Sequence, residues 1–335
     1  MSRIAIVGSG SWGTALAIVL TRRGGHEITL WSHTEAVAAS ITKTRENVSY
    51  LPGIPVPDSI RATSDLKAAV EGTEIVVIVV PSEHLRATMN AIAPYLNQKH
   101  VVVNATKGLE DTTFLRMTEV IGNVLEKHSL SLPCCVLSGP SFAQEVAAGS
   151  PTAMTLASSS IELAAQIREE FLGPSLRIYT NEDVVGVELG GALKNVIALA
   201  SGVVTGLGLG HNSIAALITR GNAEMTRLAI ANGGKQETLA GLSGLGDLVL
   251  TCTGALSRNR HVGIELGRGR KLAEILTAMH GKVAEGVRTT RAALGLATRF
   301  GVEMPITEQV GALLAEELSP MDAMRELMSR PGRDE

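Results

Sequence analysis

The chain has 335 residues and carries 30 Lys and Arg against 33 Asp and Glu, a formal net charge of -3 at pH 7. That length predicts two domains of ordinary size, each with its own core, and so small a net charge gives no electrostatic basis for a nucleic-acid or anionic-membrane partner. Hydrophobic residues make up 45% and aromatics only 3%, a mixture of Ala, Val, Ile and Leu suited to a buried parallel sheet wrapped by helices, and no run approaches the roughly 20 apolar residues of a membrane helix.

Residues 4–7 (IAIV) form an apolar run of strand length, followed at once by Gly8-Ser9-Gly10-Ser11-Trp12-Gly13 and a helix-forming segment over 14–20. The spacing is G-x-G-x-x-G between strand and helix. Gly8 permits the tight turn, Gly10 lets backbone N–H groups reach a pyrophosphate at the helix N-terminus, and Gly13 lets helix and strand pack closely, so the stretch predicts a dinucleotide site. The glycines and the meagre basic start at Arg3 argue against a secretory signal peptide, as does the absence of a small-residue cleavage site.

Residues 26–31 (HEITLW) read as the second strand. NAD-preferring sites place a carboxylate at the end of this strand, yet here Ser32-His33-Thr34 follow, with no acid until Glu35. Nothing there repels a 2′-phosphate and His33 can hydrogen-bond it, so NADPH is expected as cofactor, with NADH as the alternative. The segment 41–60, with Pro52, Pro55 and Pro57, is expected to be an irregular surface excursion. Ser64 is expected to open a short helix. A buried strand over 74–80, a helix over 82–96 and a strand over 100–104 follow. That strand leads to Lys107, at the carboxyl edge where open α/β sheets bind ligands.

A helix over 114–127 and a strand over 134–137 come next. Cys134 and Cys135 in that strand, with Cys252, offer neither a disulfide framework nor zinc spacing; a reducing cytoplasm and ordinary core thiols fit them. In the following Ser138-Gly139-Pro140-Ser141-Phe142-Ala143-Gln144, Ser141 and Gln144 are spaced as a capping box, and N–H groups at such an edge suit a cofactor or phosphate. Two further β/α alternations, with strands over 153–157 and 176–180, extend the sheet to about Asn181.

From 184 onward strand runs vanish. Helices are predicted over 190–201, 213–231, 237–242, 260–266, 272–279, 289–300 and 307–317, then a last one with Ser319 as N-cap, Pro320 at its first position and Asp322 at its third. The glycine run Gly206-Leu207-Gly208-Leu209-Gly210 follows a helical segment and reads as a helix connection, not a second nucleotide loop. The fold class is thus α/β, an N-terminal Rossmann-type doubly wound sheet over 1–189 with an all-α domain over 190–335. The two are expected to share a broad interface that contains the site.

Lys194, in the apolar, small-residue helix GGALKNVIALASGV, is the outstanding proton donor, since partial burial would lower its pKa towards the working range. The alternative is an edge lysine that snorkels to water. Asp247, expected inside a glycine-rich turn between apolar stretches in LSGLGDLV, suits a buried partner for that ammonium. Ser257-Arg258-Asn259-Arg260 gathers two guanidinium groups, a hydroxyl and an amide in four residues, a set matched to phosphate; the alternative is a solvated, charged helix start.

In order along essentially the whole chain, GSGSWGTALA, NATKGLE, SGPSFAQE, GGALKN, GLGDLVLTCT, SRNR and AEGVRTT resemble the motif set of the bacterial NAD(P)-dependent sn-glycerol-3-phosphate dehydrogenases. The resemblance implies reduction of dihydroxyacetone phosphate to sn-glycerol 3-phosphate for phospholipid synthesis, in a cytoplasmic homodimer. It implies Lys194 as catalytic acid/base with Asp247 as its partner, and Lys107, Gly139 and Ser141 against the substrate, with Ser257, Arg258 and Asn259 around its phosphate. It also implies Ser11, Trp12, His33, Ala143, Val283 and Glu285 against the cofactor, with Lys107 and Arg258 reaching it too, and no metal. The rival readings are another two-domain Rossmann reductase, acting on a hydroxy acid or acyl thioester, and a non-catalytic NADPH-binding redox sensor.

Overall fold

The computed structural model describes residues 2–279 and 283–331. Contacts divide the chain into two compact units, Met1–Lys107 with Leu115–Val187 and Gly108–Phe114 with Glu188–Glu335. The segment 108–114, although it lies between a strand and a helix of the first unit, counts with the second. The boundary between 187 and 188 falls inside a helix.

The first unit opens with β1 (Ser2–Val7), α1 (Ser11–Arg23), β2 (His26–Trp31) and α2 (Glu35–Thr44). Next come β3 (Glu46–Asn47), β4 (Leu51–Pro55), β5 (Ile60–Thr63), α3 (Leu66–Val70), β6 (Ile75–Ile78) and α4 (Ser82–Ile92). It continues through β7 (Val101–Asn104), α5 (Met117–Lys127), β8 (Cys134–Ser138), α6 (Ala143–Ala148), β9 (Thr152–Ala157), α7 (Ile161–Phe171) and β10 (Leu176–Asn181). Side chains alternate across a strand, and in β1 both sets are buried. Ile4 and Ile6 join a core with α1, α6 and α7, whereas Ala5 and Val7 join a second core with α3, α4 and α5. Helices on both faces explain the unbroken apolar runs of β1, β6 and β7.

The strand order is β10-β9-β8-β7-β6-β1-β2-β5. The six strands from β5 to β8 are mutually parallel, but β9 joins β8 antiparallel and β10 then pairs parallel with β9. The expected β/α alternation therefore reverses direction once. At about 1.5 Å per residue the short α6 spans only about 9 Å, too little to carry the chain back along a strand for a parallel return.

The excursion expected to be irregular holds structure of its own. β5 pairs with β2 at the sheet edge, and β3 and β4 form a small antiparallel ladder. Pro52 and Pro55 are tolerated in β4 because a two-stranded ladder leaves one side of each strand unpaired. Two helix starts also differ from expectation. Asp65, not Ser64, caps α3, its carboxylate accepting from Ala68 N at 3.1 Å. α5 begins at Met117, because Phe114 takes a left-handed φ of 61°.

The regular elements of the second unit, among its described residues, are all helices. They are α8 (Val184–Gly206), which starts in the first unit, α9 (His211–Ala231), α10 (Gln236–Leu239), α11 (Asp247–Thr253), α12 (Arg258–Gly267), α13 (Leu272–Ala278), α14 (Glu285–Phe300), α15 (Pro305–Leu314) and α16 (Pro320–Ser329). Ser319 Oγ accepts from Asp322 N at 3.1 Å, the cap its spacing predicts. α8 ends at Gly206 and α9 begins at His211, so the glycine run joins two helices. α8 has 23 residues and is long and apolar enough to cross a membrane, contrary to the reading that no run approaches that length, yet it is mostly buried and is a core element. A Cβ on Gly202 would overlap the Arg260 carbonyl, and one on Gly263 the Leu199 carbonyl, so glycines let α8 and α12 touch backbone to backbone.

Candidate active site

The glycine-rich loop joins β1 to α1. Gly8 has φ 124°, and a Cβ on Gly13 would overlap the Gly8 carbonyl, so the turn and the close helix approach both require glycine. Gly10 differs. It is the N-cap of α1, no side chain caps that terminus, and a Cβ there would meet nothing within 4 Å. Uncapped N–H groups at the positive end of a helix, beside an open backbone face, fit a dinucleotide pyrophosphate. Trp12 packs half-buried against the core, and its Nε1 is buried with no partner. Ser11 Oγ donates to Tyr50 O at 2.6 Å. At the carboxyl end of β2, Ser32 is buried and His33 is exposed, its ring edge-on to Trp31 at 6.1 Å.

At the carboxyl ends of β7 and β8 three predicted residues meet at one atom. Lys107 Nζ donates to Gly139 O at 2.9 Å, and Ser141 Oγ donates to the same oxygen at 3.0 Å. Gly139 has φ 133°, with Met154 Cα 3.1 Å from where a Cβ would stand. The predicted capping box is absent. α6 starts at Ala143 with Phe142 as N-cap and no side-chain cap, because the Ser141 hydroxyl is turned to Gly139.

In the second unit Lys194 Nζ lies 2.7 Å from Asp247 Oδ1 and 2.8 Å from Thr251 Oγ1. Lys194 is 7% exposed and Asp247 1%, so the lysine does not snorkel. A carboxylate this close favours the ammonium form of the lysine. Asp247 is also not in a turn. Leu242–Gly246 forms a π-helical turn that runs into α11, which makes Asp247 the first residue of that helix. Its glycines serve packing, since a Cβ on Gly244 would overlap the Leu239 carbonyl. Thr251, one turn further and so on the same face, donates its hydroxyl to Asp247 O at 2.6 Å and accepts from Lys194. Sequence reasoning missed Thr251, although its i+4 spacing from Asp247 was a signal.

The Ser257 to Arg260 cluster splits into two roles. Ser257 caps α12, its buried Oγ accepting from Arg260 N at 3.2 Å. Buried Asn259 donates through Nδ2 to Asn195 Oδ1 at 2.8 Å and accepts at Oδ1 from Gly286 N at 2.9 Å, tying the start of α14 to α12 and α8. Asn195 had no sequence signal. Arg260 is half-buried and reaches Thr205 Oγ1 at 3.5 Å, while Arg258 keeps an exposed side chain. Desolvation by surrounding protein lowers the Arg258 pKa and Glu285 opposes it; a guanidinium stays charged regardless. Val283 and Glu285, both half-buried, lead into α14 and form its first turn. Ala143 is the first residue of α6.

Two family models cover most of the chain, the NAD-dependent glycerol-3-phosphate dehydrogenase N-terminus over residues 3–164 and the C-terminus of the same family over 183–325. The chain belongs to the NAD-dependent glycerol-3-phosphate dehydrogenase family. It is 62% identical over 338 residues to a glycerol-3-phosphate dehydrogenase, NAD(P)+, of Acidobacterium capsulatum, covering the whole of both chains. It is 58% identical over 335 residues to the enzyme of that name from Koribacter versatilis, covering 100% of this chain and 99% of that one. The crystal structure of a glycerol-3-phosphate dehydrogenase from Coxiella burnetii superposes with a TM-score of 0.93 at 44% identity, covering 98% of this chain and 99% of that one. As a member of this family the chain is an NAD(P)-dependent oxidoreductase, and the uncapped loop at Gly10 fits its cofactor. A non-catalytic sensor is not favoured.

Proposed function

We propose that the chain interconverts dihydroxyacetone phosphate and sn-glycerol 3-phosphate with NADPH or NADH, for phospholipid synthesis. The observation that carries this reading is the buried pair of Lys194 and Asp247 at 2.7 Å. When bound, the reduced nicotinamide supplies a hydride to the carbonyl carbon. Lys194 gives a proton from Nζ to the carbonyl oxygen as charge develops there, and in the reverse direction takes it back. Asp247 favours the ammonium and, with Thr251, fixes the direction in which Nζ presents its N–H groups.

Arg258 offers a planar fork to the substrate phosphate, and Lys107 and Ser141 offer further donors to the substrate. Ser257 and Asn259 support this end by holding the start of α12. The absence of a carboxylate at residues 32–34 and the exposure of His33 support NADPH over NADH. A cytoplasmic homodimer completes the reading on family membership, and Cys134, Cys135 and Cys252, none of them in a disulfide, suit a reducing compartment.

The test is the absorbance of reduced nicotinamide, with purified protein and dihydroxyacetone phosphate. Rapid oxidation that is lost in Arg258→Ala supports the reading. No oxidation with either cofactor, from folded protein that binds NADPH, sinks it.

A further inference from the structure

Asn47 lies in the segment expected to be a surface excursion, yet it is 1% exposed and every polar atom of its side chain is engaged. Nδ2 donates to Ser9 O at 2.8 Å and to Thr14 Oγ1 at 2.7 Å, while Oδ1 accepts from Tyr50 N at 3.2 Å. Thr14 Oγ1 in turn donates to Ser9 O at 3.3 Å, closing a buried triangle. One corner, Ser9, belongs to the glycine-rich loop, and another, Thr14, to the first turn of α1.

The Ser9 carbonyl and the Gly10 N–H belong to one planar trans peptide unit, in which C=O and N–H point in opposite directions. Two donors hold the Ser9 oxygen on the buried side, so the Gly10 N–H is turned away from that side, at the residue whose own backbone face is open. Without that hold the peptide could rotate and present a carbonyl dipole where an anion is to sit. A buried amide costs folding free energy unless its hydrogen bonds are made, and here they are made to the loop carbonyl of Ser9, to Thr14 in the first turn of α1 and from the Tyr50 N–H.

We propose that Asn47 is a positioning residue for the dinucleotide pyrophosphate, acting through the Ser9 to Gly10 peptide. The inference rests on the nicotinamide-dependent reading above. It assigns Asn47 no contact with substrate and no part in proton transfer.

The experiment measures the NADPH dissociation constant by titration calorimetry for the natural protein, Asn47→Ala, Asn47→Asp and Thr14→Val, with thermal unfolding of each cofactor-free protein. It also measures kcat and the KM of dihydroxyacetone phosphate at saturating NADPH. Loss of a buried hydrogen bond to the loop predicts NADPH binding weakened about tenfold or more in both Asn47 variants and by a smaller factor in Thr14→Val, which keeps one of the two holds. kcat and the KM of dihydroxyacetone phosphate are expected to stay within about twofold, since a ground-state cofactor contact is what changes. Unchanged NADPH affinity in folded Asn47 variants overturns the proposal, as does a fall in kcat with affinity intact. If the Asn47 variants do not fold, an unchanged affinity in folded Thr14→Val overturns it. Failure of the natural protein to bind NADPH at all overturns the underlying reading instead, and the inference with it.

Discussion

Lys194 Nζ and Asp247 Oδ1 stand 2.7 Å apart, brought together from positions 53 residues apart in the chain, with both side chains almost wholly removed from solvent. Removing one partner strands a buried charge, which costs about 3–5 kcal/mol, whereas replacing both by apolar groups of similar volume is often nearly neutral. Asp247→Ala is therefore expected to destabilise the chain by about 3 kcal/mol in urea unfolding, and the double variant Lys194→Met with Asp247→Leu by less. Lys194→Ala is expected to lower turnover by about a thousandfold, within the range of a lost general acid. Full turnover in Lys194→Ala would remove the assigned chemistry.

The three glycines of the loop differ in what they tolerate. Gly13→Ala forces a Cβ into the Gly8 carbonyl, so α1 must shift, and both stability and NADPH binding are expected to fall. Gly10→Ala meets nothing within 4 Å. That variant is expected to unfold within about 1 kcal/mol of the natural protein, a small backbone effect, while losing cofactor affinity because the methyl occupies the face the pyrophosphate approaches. Calorimetric titration beside thermal unfolding separates the two cases, and parallel losses in both variants would contradict the open-face assignment.

Glu224 on α9 is 1% exposed and caps α15 from outside, its carboxylate accepting from Ile306 N, Thr307 N and Thr307 Oγ1. Burial raises its pKa from 4.5 to about 7, against the opposing effect of those hydrogen bonds and of Arg227. A raised folded pKa means that the native state holds a proton the unfolded chain has released. Its contribution to stability is thus full below pH 4.5 and is lost as pH rises to about 7. Urea unfolding from pH 5 to pH 8 is expected to show a decline of roughly 1–3 kcal/mol attributable to this group, absent in Glu224→Gln. Identical slopes in the two proteins would refute it.

His33 stands exposed beyond β2, where no carboxylate competes. Under the NADPH reading, His33→Asp places a negative charge where the 2′-phosphate would lie. The ratio of kcat/KM for NADPH to that for NADH is expected to fall about tenfold, the equivalent of about 1.4 kcal/mol. A ratio that does not move would separate His33 from cofactor choice.

The parts of this molecule legible in the chain were those that local pattern encodes. The strand, glycine turn and helix at residues 2–23 follow from a period change and from positions that admit no Cβ. The cap of Ser319 on α16 follows from its distance to Asp322. Where pattern misled, a competing contact decided: Ser141 matched a capping box, but its hydroxyl bonds Gly139 O instead. Asn47 looked like one polar residue in a proline-rich excursion, because nothing local marks the loop carbonyl, 38 residues away, that it holds.

By itself the sequence determined the two fold classes, the loop that suits a pyrophosphate, and the lysine, aspartate and arginine on which the proposed reaction draws. These depend on residue type and on neighbours within a turn or two. The tertiary structure alone decided that β9 runs against β8, that Thr251 completes the pair of Lys194 and Asp247, and that Asn259 spends its amide on Asn195 and Gly286. A hydrogen bond needs its atoms within about 3 Å, and between residues tens of positions apart that distance is set by how helices and strands pack.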